Sequence, residues 1–145
     1  MGCGIINLRD GVMYKRNLNN DSIPHRSEDY LIRLADQVIR HKDLPERLVY
    51  KGVSWSKKEY QNKLILKCRD ILKVLSLERR GGRNPFILTG AILYLADRLV
   101  AKEYSQKAVL TQCIISEATG IAEYSIRDHY VNLLKPLFFF EKIGT

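Results

Sequence analysis

The segment PFILTGAILYLADRLV, residues 85–100, carries apolar side chains on nearly every side of a helical projection: Ile87, Leu88, Ala91, Ile92, Tyr94, Leu95, Leu99 and Val100. A helix of this kind must be surrounded, because each large side chain left in water forgoes roughly 1.5–3 kcal/mol of burial free energy. The rest of the chain therefore has to supply the cover, and that requirement shapes every later expectation. The start of the segment is well marked. Gly81–Gly82 ends whatever precedes it, Asn84 offers a capping side chain, and Pro85 stands at the first helical position, where its missing N–H costs nothing. Gly90 and Ala91 leave room for a neighbour to approach closely.

The cover is legible as further helices, since strand signals are poor throughout. After Ser27, a good N-cap residue, Glu28 and Asp29 occupy the first turn, where the helix dipole favours carboxylates. Tyr30, Leu31, Leu34, Ala35, Val38 and Ile39 then form one stripe at helical spacing, which predicts a helix over 28–41. A short helix or turn is expected around Leu44–Ser54, with Pro45 in its first turn and Gly52 as its break. Ser56 opens the next helix, over 56–77, which buries Tyr60, Leu64, Cys68, Ile71, Leu72 and Leu75. Residues 101–110 extend the central helix or form a turn. Residues 1–27 show no sustained period and read as an irregular arm; residues 138–145, with Phe138–Phe140, read as an aromatic C-terminal tail packed against the bundle. The expected fold class is all-α, with the helical domain spanning 28–137.

Composition removes several kinds of chemistry. In 145 residues, no apolar run approaches the ~20 needed to span a membrane, and no basic-then-apolar leader is present, so an intracellular protein is expected. The opening MGCGII has Gly2 and Cys3 but Ile6 where a myristoylation signal needs Ser or Thr. Cys3, Cys68 and Cys113 are scattered, and His25, His41 and His129 stand at no ligand spacing, so neither a zinc site nor any other metal or cofactor is expected. Cys68 and Cys113 fall on apolar stripes as small hydrophobes. No paired acids or nucleophile with its base suggests an enzyme. Charge is more informative. The formal net charge is +8, which favours a polyanionic partner. The surplus is greatest over 28–80, with 13 basic and 8 acidic side chains. Within it Lys57, Lys58, Lys63, Lys67, Arg69, Lys73, Arg79 and Arg80 read first as a solvated face and second as a phosphate-facing one.

The stretch TQCIISEATGIAEYSIRDHY, residues 111–130, fits two helices, Gln112–Ala118 and Ala122–Lys135, hinged at Thr119–Ile121. A sharp turn needs one residue in the left-handed region, which Gly120 enters without a Cβ penalty. Ile115, Ile121 and Ile126 stand where apolar residues would lock the two helices together, Ser116 is small where they would cross, and Thr111 can cap the first. This is the pattern of a helix-turn-helix over 111–135, and a plain helical hairpin shares much of it. With Ile126 inward, Tyr124, Ser125 and Arg127 point outward near the start of the second helix, the part of a recognition helix that meets base edges. Arg127 suits a guanine or a phosphate, and Tyr124 a thymine methyl.

Residues 82–134 resemble the second cyclin-like repeat of transcription initiation factor B, the archaeal protein whose eukaryotic counterpart is factor IIB. The likeness rests on Gly82, Arg83 and Pro85; Leu93, Tyr94 and Ala96; Thr111, Gln112 and Ile115; Gly120 and Ile121; and Ser125, Ile126, Arg127 and Tyr130. It implies a five-helix cyclin-like bundle ending in a helix-turn-helix that reads the major groove of duplex DNA beside the TATA box. It also implies contact with the TATA-binding protein or other transcription machinery. Arg127 matches the family's base-contacting arginine, and Tyr124 stands where the family usually has a valine. Asp128 and His129 depart from the family's more neutral and basic residues, so with Tyr124 they leave the family's own element as a target that need not be recognised. About six extra residues separate Tyr94 from Thr111. The sequence contains neither a zinc ribbon nor a first repeat, so a paralogue or regulator is expected rather than a complete initiation factor.

The reading that follows is a double-stranded DNA-binding protein that uses helix 122–135, cytoplasmic if archaeal and nuclear if eukaryotic. Thr111, Gln112, Tyr124, Ser125, Arg127 and His129 would face the duplex, with Lys102, Lys107 and Lys135 on phosphates. A lone helix-turn-helix has limited contact area, so a homodimer or a protein partner is expected as well. The alternative is a cyclin-like protein-interaction module without sequence-specific DNA binding.

Overall fold

The computed structural model describes residues 26–144, with side chains through Phe139. The arm expected over 1–27 therefore lies, except for Arg26 and Ser27, outside the described residues. The described chain is all-α and contains no strand. In order it forms α1 (Ser27–Ile39), α2 (Leu44–Tyr50), α3 (Lys57–Val74), α4 (Leu77–Arg80), α5 (Pro85–Glu103), α6 (Gln112–Thr119) and α7 (Glu123–His129). A π-helical turn (Tyr130–Leu134) then leads into α8 (Lys135–Gly144). No helix among the described residues is long and apolar enough to cross a membrane.

Helix α5 is the axis. Every residue from Leu88 to Asp97 is buried, as its unbroken apolar surface requires. Helices α1 and α3 pack against it and each other, α7 and the π turn also pack against it, and α6 lies against α1, α5 and α7. Asn84 caps α5 by accepting from the Phe86 and Ile87 amides at 2.8 and 3.2 Å. Gly90 is the point of closest approach: a Cβ built there would sit 2.6 Å from Ile121 Cδ1, so the residue after the α6–α7 turn seats in the glycine's space.

Three local expectations change. Ser27 is not the cap of α1 but its first residue; it is buried, and its hydroxyl donates to the Pro85 carbonyl at 3.2 Å, joining the starts of α1 and α5. The helix expected over 56–77 breaks at Leu75, which is extended, and restarts as α4 behind a new cap, Ser76. The segment expected as a tail over 138–145 is helical through Gly144. Pro136 lies inside this last helical run, lacks an N–H and crowds the carbonyl of the preceding turn; the wider π turn immediately before it absorbs the misfit. Phe138 and Phe139 pack partly against the core.

At Gly120 the backbone takes φ +83°, the left-handed conformation that closes α6. A methyl group added there meets nothing within 4 Å, so backbone strain is the whole cost. Gly120→Ala is expected to lower stability by about 1–2 kcal/mol, read from the urea midpoint at unchanged slope.

Candidate nucleic-acid interface

The position of α6 is set from the core outward. Asp97, fully buried on α5, accepts from the Tyr60 hydroxyl at 2.7 Å, from the Val109 amide at 3.0 Å and from the Leu110 amide at 2.9 Å. Burial pushes its carboxyl above the usual range, and these three donors pull it partly back. The chain leaving α5 is thereby pinned just before Thr111, whose hydroxyl caps α6 by accepting from the Ile114 amide at 3.0 Å. On the far side Arg47 Nε donates to the Val109 carbonyl at 2.6 Å. Neither anchor was legible as such, because each joins residues far apart in sequence.

The α6–α7 turn is tied internally. Thr119 donates its hydroxyl to the Ile115 carbonyl at 2.7 Å and accepts from the Ile121 amide at 3.3 Å, while the Gly120 amide donates to the Ser116 carbonyl at 2.8 Å. Ile115, Ile121 and Ile126 are all buried. With Ile126 turned inward, the start of α7 faces outward: Tyr124 is 71 % exposed, and Glu123, Arg127 and Asp128 are exposed beside it. Ser125 is half-buried. No side chain caps α7, and Glu123 in its first turn complements the helix dipole instead.

The remaining expected contacts are dispersed. Thr111 and Gln112 are half-buried at the start of α6, with the Thr111 hydroxyl spent on its cap. His129 turns inward: its side chain is only 12 % exposed, Nδ1 lies 2.9 Å from the Ser125 carbonyl, and Nε2 is buried without a partner among the described residues. It faces its own helix rather than a groove. Lys135 is exposed immediately after the π segment, at the start of α8. Lys102 is exposed at the far end of α5, and Lys107 is exposed in the segment that follows it. Lys102 lies about 18 Å along the helix from Gly90, at 1.5 Å per residue.

The basic segment divides as well. Arg80 is buried on Glu28, so it cannot face a phosphate. Lys63 sits over the rings of Trp55 and Tyr104 at 4.9 and 4.6 Å, and Lys67 pairs with Glu103 at 2.6 Å. Lys57, Lys58, Arg69, Lys73 and Arg79 remain exposed. One group near α7 escaped the sequence reading. Arg98 stacks on Tyr94 and hydrogen-bonds its hydroxyl, and Tyr130 meets Tyr94 edge-on at 4.9 Å. The four-residue spacing of Tyr94 and Arg98 was the available signal.

No family model, curated protein or solved structure matches this chain. Across α6 and α7 the acids Glu117, Glu123 and Asp128 face solvent with one arginine, Arg127.

Folding also assembles a cluster that residue spacing hid. His41 Nε2 lies 2.7 Å from Glu117 Oε1, across 76 residues, and Asp43 joins them. Cys113, expected on the buried stripe of α6, is exposed. The buried pair is Ile114 and Ile115, which leaves Cys113 facing the same way as Glu117 one turn on.

Proposed function

We propose that the chain is a single cyclin-like repeat, with α1, α3, α5, α6 and α7 as its principal helices, that binds duplex DNA in the manner of initiation factor B. In this reading α6 and α7 are a helix-turn-helix, and helix 122–135 reads the major groove. What carries the reading is the exposure of Tyr124 and Arg127 on the outer face of α7 while Ile126, between them, anchors the helix. A long aromatic and a guanidinium presented side by side on a rigid helix suit base-edge readout. Arg127 and Tyr124 specify, and Lys135 with the free lysines of α3 supplies non-specific attraction at low salt.

Selection from a random duplex pool tests this directly. An enriched motif is expected, and Arg127→Ala should weaken binding to it by about 1–3 kcal/mol and relax one position. If no sequence is enriched at low salt, the DNA reading is wrong. A second reading has its own support: the acids flanking Arg127, together with exposed Tyr124 and Val131, suit a protein partner. In that case the same Tyr124→Ala and Arg127→Ala variants would lose a protein complex with weak salt dependence and leave DNA affinity unchanged.

A further inference from the structure

We propose that His41, Asp43, Cys113 and Glu117 form a binding site for one transition-metal dication of the zinc class, bridging the α1–α2 junction to α6. The ligand atoms of His41, Asp43 and Glu117 all lie within 4.8 Å of one another. Donors about 2.0–2.3 Å from a tetrahedral zinc stand roughly 3.5 Å apart, a spacing that side-chain rotation at this cluster reaches. Cys113 supplies the fourth donor. It precedes Glu117 by one helical turn on the same exposed face of α6, and its sulfur, which lies outside that 4.8 Å group, swings in by side-chain rotation. Two ligands from one helix turn and two from a short loop is an economical way to build such a site.

The donor set chooses the ion. One imidazole, one thiolate and carboxylates suit zinc, cobalt or nickel, whereas calcium and magnesium prefer all-oxygen shells. The electrostatics agree. In a chain of net charge +8, Glu117, Glu123 and Asp43 surround Cys113 as an acidic island that attracts a cation. Lys42 is the basic side chain acting on Glu117 from the loop. The His41 side chain is only 6 % exposed, so its ring is already oriented.

In the metal-free arrangement Nδ1 accepts from the Asp43 amide at 3.1 Å, so Nε2 carries the ring proton and donates it to Glu117. Metal at Nε2 moves the ring proton to Nδ1, and the bond from the Asp43 amide is given up. The thiol proton leaves. One proton is released per ion, and the thiolate, not the thiol, is the ligand.

Cobalt(II) titration of the full chain under reducing conditions is the test. One equivalent should bind with a thiolate-to-cobalt charge-transfer band; zinc should displace it, magnesium should not, and zinc should raise the melting temperature. Cys113→Ser should abolish the band and the melting shift while leaving helicity intact, since the thiol is exposed. His41→Gln and Glu117→Gln should each weaken cobalt at least tenfold. Cys3→Ser with His25→Gln should change nothing. Absence of a band, its survival in Cys113→Ser, its loss in the Cys3/His25 variant or displacement by magnesium would each overturn the proposal. None of these readouts involves DNA, so the site stands or falls apart from the DNA-binding reading.

Discussion

Asp97→Ala is expected to destabilise the protein by about 4 kcal/mol. The substitution leaves three buried donors without an acceptor: the Tyr60 hydroxyl and the Val109 and Leu110 amides. A buried polar group stripped of its partner costs about 1–3 kcal/mol, and a small cavity adds to it. Asp97→Asn keeps one oxygen but turns an amide N–H₂ toward a backbone N–H, so about half of that loss is expected. Tyr60→Phe, which removes one donor along with its bond, should cost about 1 kcal/mol. Urea unfolding of the three variants checks the order Ala, then Asn, then Phe. If Asp97→Ala proves near neutral, the pinning of residues 104–110 by this carboxylate is wrong. The native helix α6 should also fray first in Asp97→Ala, seen as faster amide exchange at Ile114, because Thr111 loses its fixed position.

The same trio gives an alkaline signature. Burial, followed by the charge of Asp97, holds Tyr60 well above the ordinary tyrosine value of 10.0. A folded-state value above the unfolded one means the folded state keeps a proton that the unfolded chain releases. Stability from this group is therefore intact below about pH 10 and falls as pH rises beyond it. Tyr60→Phe should flatten the alkaline limb even as it lowers stability at neutral pH. Asp97 shifts the same way, so between its ordinary value and its raised one it makes the fold less stable as pH rises.

What the sequence revealed and what it hid divide along one physical line. The burial of α5 was readable because unbroken apolarity over 85–100 admits no exposed face, and α5 is indeed surrounded. The turn at Gly120 and the inward set Ile115, Ile121 and Ile126 were readable because each is a local consequence of periodicity and of one residue's freedom at positive φ. Asp97 and Arg80 were not. A charged residue on a helix looks the same whether it meets water or a carbonyl 5 or 60 residues away, and only the packed chain decides. His129 and Cys113 failed for a smaller reason: a shift of one position, about 100° on a helix, exchanges outward for inward. The helical run past Pro136 was hidden because a π turn can absorb a proline that periodicity treats as a stop.

Arg80→Ala is expected to cost about 3 kcal/mol, the second largest loss. Arg80 lies in the basic run that reads as solvated, yet it is 8 % exposed. Its guanidinium donates to the Leu75 and Leu72 carbonyls at 2.9 and 3.1 Å, closing the end of α3 where Leu75 breaks the helix. The two terminal nitrogens donate to the two Glu28 oxygens at 2.9 Å each, fastening α4 to the start of α1. Hydrogen bonds involving a charged group contribute about 1.5–3 kcal/mol, and the alkyl stem adds packing. Glu28 is about half exposed and rehydrates when Arg80 is removed, which keeps the loss below that of breaking a fully buried pair. Lysine should not rescue it, since one ammonium cannot span a carboxylate and two carbonyls. Acid supplies the distinguishing readout. The Arg80 hydrogen bonds hold Glu28 below the ordinary 4.5, so the pair's stability is present above that value and is lost as pH falls through the lowered one. Wild type should lose stability in that acid window, and both Arg80→Ala and Arg80→Lys should show a shallower loss. Parallel acid limbs in wild type and variants would mean that the bidentate pair does not form in solution.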